Sequence, residues 1–192
     1  MDNFEKLLGK SFRFLSYRPR SEKEVKDYLR KKSFFAKAIE GQEKNNLESV
    51  IDSIINKLKE QKFLNDEEFV KWWIEQRTTI KPKASRLIKI ELKQKGIAKD
   101  LIDKIFEESP GSDLEKATVL AKRRIKRYSH ISDRKKLYNK LGRFLASRGF
   151  NYETIKDVLK VSQETVARVN GALNYRSEGY EIVVRKALRD EQ

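Results

Sequence analysis

The chain of 192 residues has no cysteine and one histidine. The first absence excludes disulfides and thiolate metal sites. The second leaves Ser-His and Cys-His catalysis almost without material, because His130 stands alone in the loop Ser129-His130-Ile131-Ser132. Acidic residues are numerous, yet they form no carboxylate cluster of the kind a metal-dependent nuclease needs, and Asp66-Glu67-Glu68 reads as the acidic first turn of a helix. No apolar run approaches the roughly 18 to 20 residues of a membrane span. The start, Met1-Asp2-Asn3-Phe4-Glu5, has neither the basic residues nor the apolar centre of a secretory signal. These absences predict a non-enzymatic, cytoplasmic protein with no metal, cofactor or membrane partner.

What the chain has in excess is positive charge. Forty-four Lys and Arg face 29 Asp and Glu, a net charge of +15. Such a balance favours a polyanionic partner, and with membranes set aside the partner expected is nucleic acid.

A short phrase occurs three times: Leu29-Arg30-Lys31-Lys32-Ser33-Phe34, Leu92-Lys93-Gln94-Lys95-Gly96-Ile97 and Leu145-Ala146-Ser147-Arg148-Gly149-Phe150. A buried Leu, a basic residue suited to the negative helix terminus, a Gly or Ser where the backbone leaves the helix, and an apolar residue returning to the core predict a helix end at each. Amphipathic segments lie on both sides of every copy, so the sequence predicts an all-α chain of three-helix repeats, each about 45 to 60 residues long. The expected limits are 1–64, 65–111 and 112–161, with 162–192 as a helical extension. Units this small bury little core alone, so they should lean on one another in an elongated, curved array, acting as a monomer.

Several local signals place the helices. Phe4, Leu7, Leu8, Phe12 and Leu15 form one apolar stripe, and Ser21 with Glu24 forms a capping box for the next helix. The polar stretch Ala38 to Asn46 is a helix extension or an inserted surface loop. Asn65 with Glu68 opens another helix, on which Trp72 lies off the apolar side, either covering a neighbouring repeat or standing out to stack on a base. Thr78 to Lys83 reads as a basic linker with Pro82 at a first helical turn. Ser112 caps Asp113 to Tyr128, from which Leu114, Ala117, Ala121 and Ile125 should point inward.

Two cationic faces emerge as candidate contacts. Lys83, Arg86, Lys89 and Lys93 are spaced so that several share one side of a helix and can follow a phosphate backbone. Lys122, Arg123, Lys126 and Arg127, with Arg124 at the margin, form the densest cationic surface.

The residues Arg18-Pro19-Arg20-Ser21-Glu22, Phe63-Leu64-Asn65-Asp66-Glu67-Glu68-Phe69, Glu91-Leu92 through Lys95-Gly96-Ile97, and Leu145 through Arg148-Gly149-Phe150 together resemble the bacterial RecX family over about residues 4–160. That resemblance implies tandem three-helix units that bind the RecA recombinase filament with its DNA, single-stranded and double-stranded, and restrain recombinase activity in DNA repair and recombination without catalysis. The sequence departs from the pattern at the Ala38 to Asn46 insertion and at Lys81-Pro82-Lys83-Ala84, where a Gly would precede the helix.

The segment Tyr152 to Asn170 carries a second likeness. An apolar-stripe helix, a tight turn, and a second helix capped by Ser162 resemble a helix-turn-helix of the Trp-repressor-like group, with Gln163, Glu164, Thr165, Arg168 and Asn170 placed to reach phosphates or base edges. Lys156 and Lys160 stand where many such motifs have Ala and Gly. On this reading the chain is a sequence-specific transcriptional repressor, the alternative to a recombinase regulator.

Overall fold

The computed structural model describes the backbone of residues 3–40, 44–108, 111–128, 131 and 133–170, and the side chains of 4–33, 47–108, 111–128, 131 and 133–161. Nine α-helices and no strand occur among the described residues: α1 (Asn3–Leu15), α2 (Glu22–Glu40), α3 (Lys44–Glu60), α4 (Asp66–Glu75), α5 (Ser85–Gln94), α6 (Lys99–Glu108), α7 (Asp113–Arg127), α8 (Arg134–Ala146) and α9 (Tyr152–Asn170). The predicted caps start three of them. Glu24 N–H donates to Ser21 Oγ, Asn65 Oδ1 accepts from the Glu67 and Glu68 N–H groups, and Ser112 Oγ accepts from Glu115 N–H. Each satisfies a first-turn donor that has no partner within the helix.

Two of the three expected helix ends stand where the repeated phrase puts them. Gly96 (φ 81°) and Gly149 (φ 84°) leave their helices in the left-handed conformation, and the N–H groups of Ile97 and Phe150 reach back to the carbonyls of Leu92 and Leu145. The first copy of the phrase does not end a helix. Ser33 is buried, its Oγ donates to the Arg30 carbonyl at 2.9 Å, and α2 continues to Glu40. A serine satisfied this way remains within a helix, whereas a left-handed turn favours glycine. The matching turn in the first repeat closes α3 instead, where Lys62 adopts φ 59° and Phe63 N–H meets the Leu58 carbonyl.

Two further expectations change. Residues Gln76–Ile80 form a π-helical turn continuing from α4, held by Lys81 N–H to Gln76 O. Helix α5 begins only at Ser85, so Pro82 and Lys83 precede it, and Lys83 N–H donates to the Arg77 carbonyl. Leu114, expected inside, is 43% exposed, while Lys116 of the same turn is buried.

The chain divides into two units. The first comprises 1–74 and 91–108; the second comprises 75–90 and 109–192. Helix α5 therefore gives Glu91–Gln94 to the first and Ser85–Ile90 to the second. In the first, Leu7, Val25, Leu29, Ile51, Ile54, Ile55, Leu58 and Leu64 form a core beneath α1, α2 and α3, while Phe69, Val70, Trp73, Leu92, Ile102 and Ile105 are buried further along. In the second, Leu120, Tyr138, Leu141, Leu145, Phe150, Ile155, Val158 and Leu159 pack with Ala84, Ala117, Ala121 and Ala146.

The same join is built once in each unit. In the first, Asp66, opening α4, accepts from Glu22 N–H at the start of α2, and Ser21 Oγ donates to the Lys95 carbonyl. In the second, Asp113, opening α7, accepts from Ser85 N–H at the start of α5, and Ala84 N–H donates to the Arg148 carbonyl. Both turn glycines press on the helix so held. A Cβ on Gly96 would lie 2.7 Å from Lys23 Cβ, and one on Gly149 would lie 2.8 Å from Leu87 Cβ. The second and third repeats thus each cap the middle helix of the repeat before, and orphan helix-terminal donors there find acceptors in the next repeat rather than in water.

Candidate nucleic-acid interface

Helix α7 forms because apolar Ala117, Leu120 and Ala121 recur at three- and four-residue steps and pack inward. Its start is fixed to α5 by a small polar network. Lys116 Nζ, nearly buried, lies 3.1 Å from Ser85 Oγ and 3.2 Å from Asp113 Oδ1, while Ser85 Oγ donates to Asp113 Oδ1 at 2.7 Å. Burying an ammonium is costly unless it is paired and hydrogen-bonded, and here it is both.

With that face held, the opposite side of α7 is turned to solvent. Lys122, Arg123, Lys126 and Arg127 are all exposed. Residues four apart on a helix rise about 6 Å, a spacing that suits successive phosphates on a strand. Arg124 faces elsewhere: its Nε donates to the Tyr128 hydroxyl at 3.0 Å and its guanidinium lies 4.3 Å from the Phe144 ring centre. On α5, Arg86 and Lys93 are exposed, Lys89 is half-buried, and half-buried Lys83 falls outside the helical row. Sequence reasoning missed the cations of α8. Exposed Lys135, Lys136 and Lys140 follow Asp133, whose carboxylate caps the helix at Lys136 N–H. The run Arg134-Lys135-Lys136 was the available signal.

Gln163, Thr165, Arg168 and Asn170 have side chains outside the described residues; their backbone belongs to α9, which runs unbroken from Tyr152 to Asn170. The expected turn and second helix are absent. Lys160-Val161-Ser162 contains neither glycine nor proline to stop the helix, so it propagates.

The first unit handles charge differently. Glu24 sits between Arg18 (2.9 Å) and Lys95 (2.5 Å), and Glu22 between Lys26 (3.0 Å) and Lys59 (2.5 Å). Burial raises both carboxyls, but hydrogen bonds from these cations outweigh it and hold them below the ordinary Glu value. Trp72 belongs to this cluster rather than standing clear: half-buried, it packs 6.0 Å from Trp73, with the Arg18 guanidinium 5.4 Å from its ring. Trp73 Nε1 donates to Glu91 Oε2 at 3.0 Å. Arg20 lies 3.9 Å over the Phe14 ring, and burial followed by the nearby Arg18 charge lowers its pKa.

Among the described residues no group of acidic or histidine side chains is arranged to hold a metal ion, and no helix is long and apolar enough to cross a membrane. These features define a class: an all-helical repeat protein in which α2 and α5 are each capped by the following repeat, and α7 carries a row of exposed cations.

Comparison with known proteins gives the family. Residues 8–40, 65–104 and 111–159 match, in order, the first, second and third three-helix domains of RecX. A regulatory protein RecX of Clostridium tetani is 35% identical over 162 residues, covering 82% of this chain and 68% of its own length. One of Listeria welshimeri is 34% identical over 156 residues, covering 81% of this chain, which spans about half (53%) of that relative's length. The crystal structure of RecX from Lactobacillus salivarius superposes with a TM-score of 0.58 at 28% identity, over 82% of this chain and 94% of that one. The chain belongs to the RecX family.

Proposed function

We propose that this chain is a RecX-type regulator that binds the RecA recombinase filament together with its DNA, slows filament growth and restrains ATP hydrolysis and strand exchange, without catalysis of its own. The observation that supports this reading is the ordered succession of three RecX three-helix domains in one chain, the last presenting an exposed cationic helix face. Lys122, Arg123, Lys126 and Arg127 on α7, with Arg86 and Lys89 on the part of α5 in the same unit, are the residues proposed to meet the nucleoprotein filament; Lys93 falls in the first unit.

The test is recombinase ATP hydrolysis on single-stranded DNA with increasing amounts of the full chain. Inhibition at substoichiometric ratios is expected; no effect at any ratio overturns the reading. If five to eight phosphates are engaged, binding to single-stranded DNA should fall with log salt at a slope of roughly −3.5 to −5.6. The repressor alternative lacks a structural basis in α9, which is one continuous helix across the expected turn.

A further inference from the structure

Resting on the nucleic-acid part of that reading, we propose that the single strand is held by the second unit alone. The net charge of the chain is divided very unevenly. The first unit has 20 Lys and Arg against 18 Asp and Glu, a balance of +2; the second has 24 against 11, a balance of +13. Residues 162–192 contribute five of each sign, so the excess lies in 75–90 and 109–161.

Pairing separates the α7 cations from six of the first unit's, though not from Lys6, Lys10, Arg13 and Lys31, which also lack an acidic partner among the described residues. In the first unit Arg18, Lys26, Arg30, Lys59, Lys71 and Lys95 each meet a carboxylate within 3.5 Å. In the second, Lys122, Arg123, Lys126, Arg127 and Lys135 have no acidic partner among the described residues. A field that draws in a polyanion depends on summed net charge, and a cation already beside a carboxylate releases little on neutralising a phosphate. Glu115 at the start of α7 and Asp133 at the start of α8 are the nearest acids in sequence, and Asp133 is occupied with Lys136.

The experiment uses the full chain and a labelled oligo-dT strand titrated at several salt concentrations. The variant Lys122→Gln/Arg123→Gln/Lys126→Gln/Arg127→Gln should flatten the log–log slope by about 2 to 3, at roughly 0.7 for each phosphate no longer neutralised. The matched variant Lys6→Gln/Lys10→Gln/Arg13→Gln/Lys31→Gln, also four exposed cations, should leave the slope nearly unchanged. Equal flattening by both sets, or more by the second, overturns the placement. If the quadruple variant fails to fold, Lys122→Glu/Lys126→Glu provides the same comparison. If the slope follows the second unit while recombinase ATP hydrolysis is unaffected by the wild-type chain, the functional reading fails and this placement stands; the converse fails the placement alone.

Discussion

Replacing Gly149 by alanine should destabilise the protein, although the same replacement at Gly9 should stabilise it. Gly149 has φ 84°, where an L side chain costs about 1 to 2 kcal/mol. The new Cβ would also lie 2.8 Å from Leu87 Cβ. That atom is fixed to the backbone of α5, so the helix itself must shift, an overpacking cost of about 1 to 3 kcal/mol. Together the loss is about 2 to 5 kcal/mol. Gly9, in mid-α1, has nothing within 4 Å of a built Cβ, and alanine there gains about 0.5 to 1 kcal/mol of helix propensity. Urea unfolding followed by far-UV circular dichroism measures both changes, with opposite shifts in midpoint expected. Gly149→Asn separates the two costs, since asparagine tolerates the left-handed region but keeps the clash, and it should recover only part of the loss. A neutral or stabilising Gly149→Ala would refute the claim that the glycine is required by its join to α5.

Lys62 also occupies the left-handed region and is exposed, so Lys62→Gly should raise stability by about 0.5 to 1 kcal/mol, measured by thermal melting. Asp113→Ala removes the acceptor for Ser85 N–H and leaves the Lys116 ammonium buried without its carboxylate; a loss of about 3 kcal/mol is expected in urea titration. Lys116→Met should cost clearly less, because it removes the buried charge rather than stranding it. Acid titration should expose Glu24: its folded pKa is lowered, so its contribution is complete above the unfolded value near 4.3 and is lost as pH falls through the folded one. Glu24→Gln should flatten that limb of the stability curve. Asp66 acts in the opposite sense, since burial raises its pKa and the native state gains relative stability as pH falls through that raised value.

Much of the fold was legible because helix signals are local. A capping serine and a left-handed glycine act through bonds to residues three to five positions away, and an apolar stripe is a matter of spacing alone. The first copy of the repeated phrase misled because Ser33 can end a helix or remain inside one, and its side-chain bond to Arg30 decides which. The C-terminal likeness misled for a similar reason: nothing in Lys160-Val161-Ser162 compels a turn. The candidate site was half legible. Exposed cations of α7 follow from helical period, but the turning-in of Arg124 required Tyr128 and Phe144 to be placed beside it in space.

By itself, then, the sequence determined an all-helical chain in three-helix repeats with a large excess of positive charge, because period, caps and composition are properties of short stretches. Tertiary structure decided which residues join one repeat to the next. Asp66 reaches Glu22 across 44 positions, and Arg148 reaches Ala84 across 64, and no local pattern specifies such partners. Only packing decided which cations are neutralised and which stay exposed, since pairing depends on where distant carboxylates come to rest.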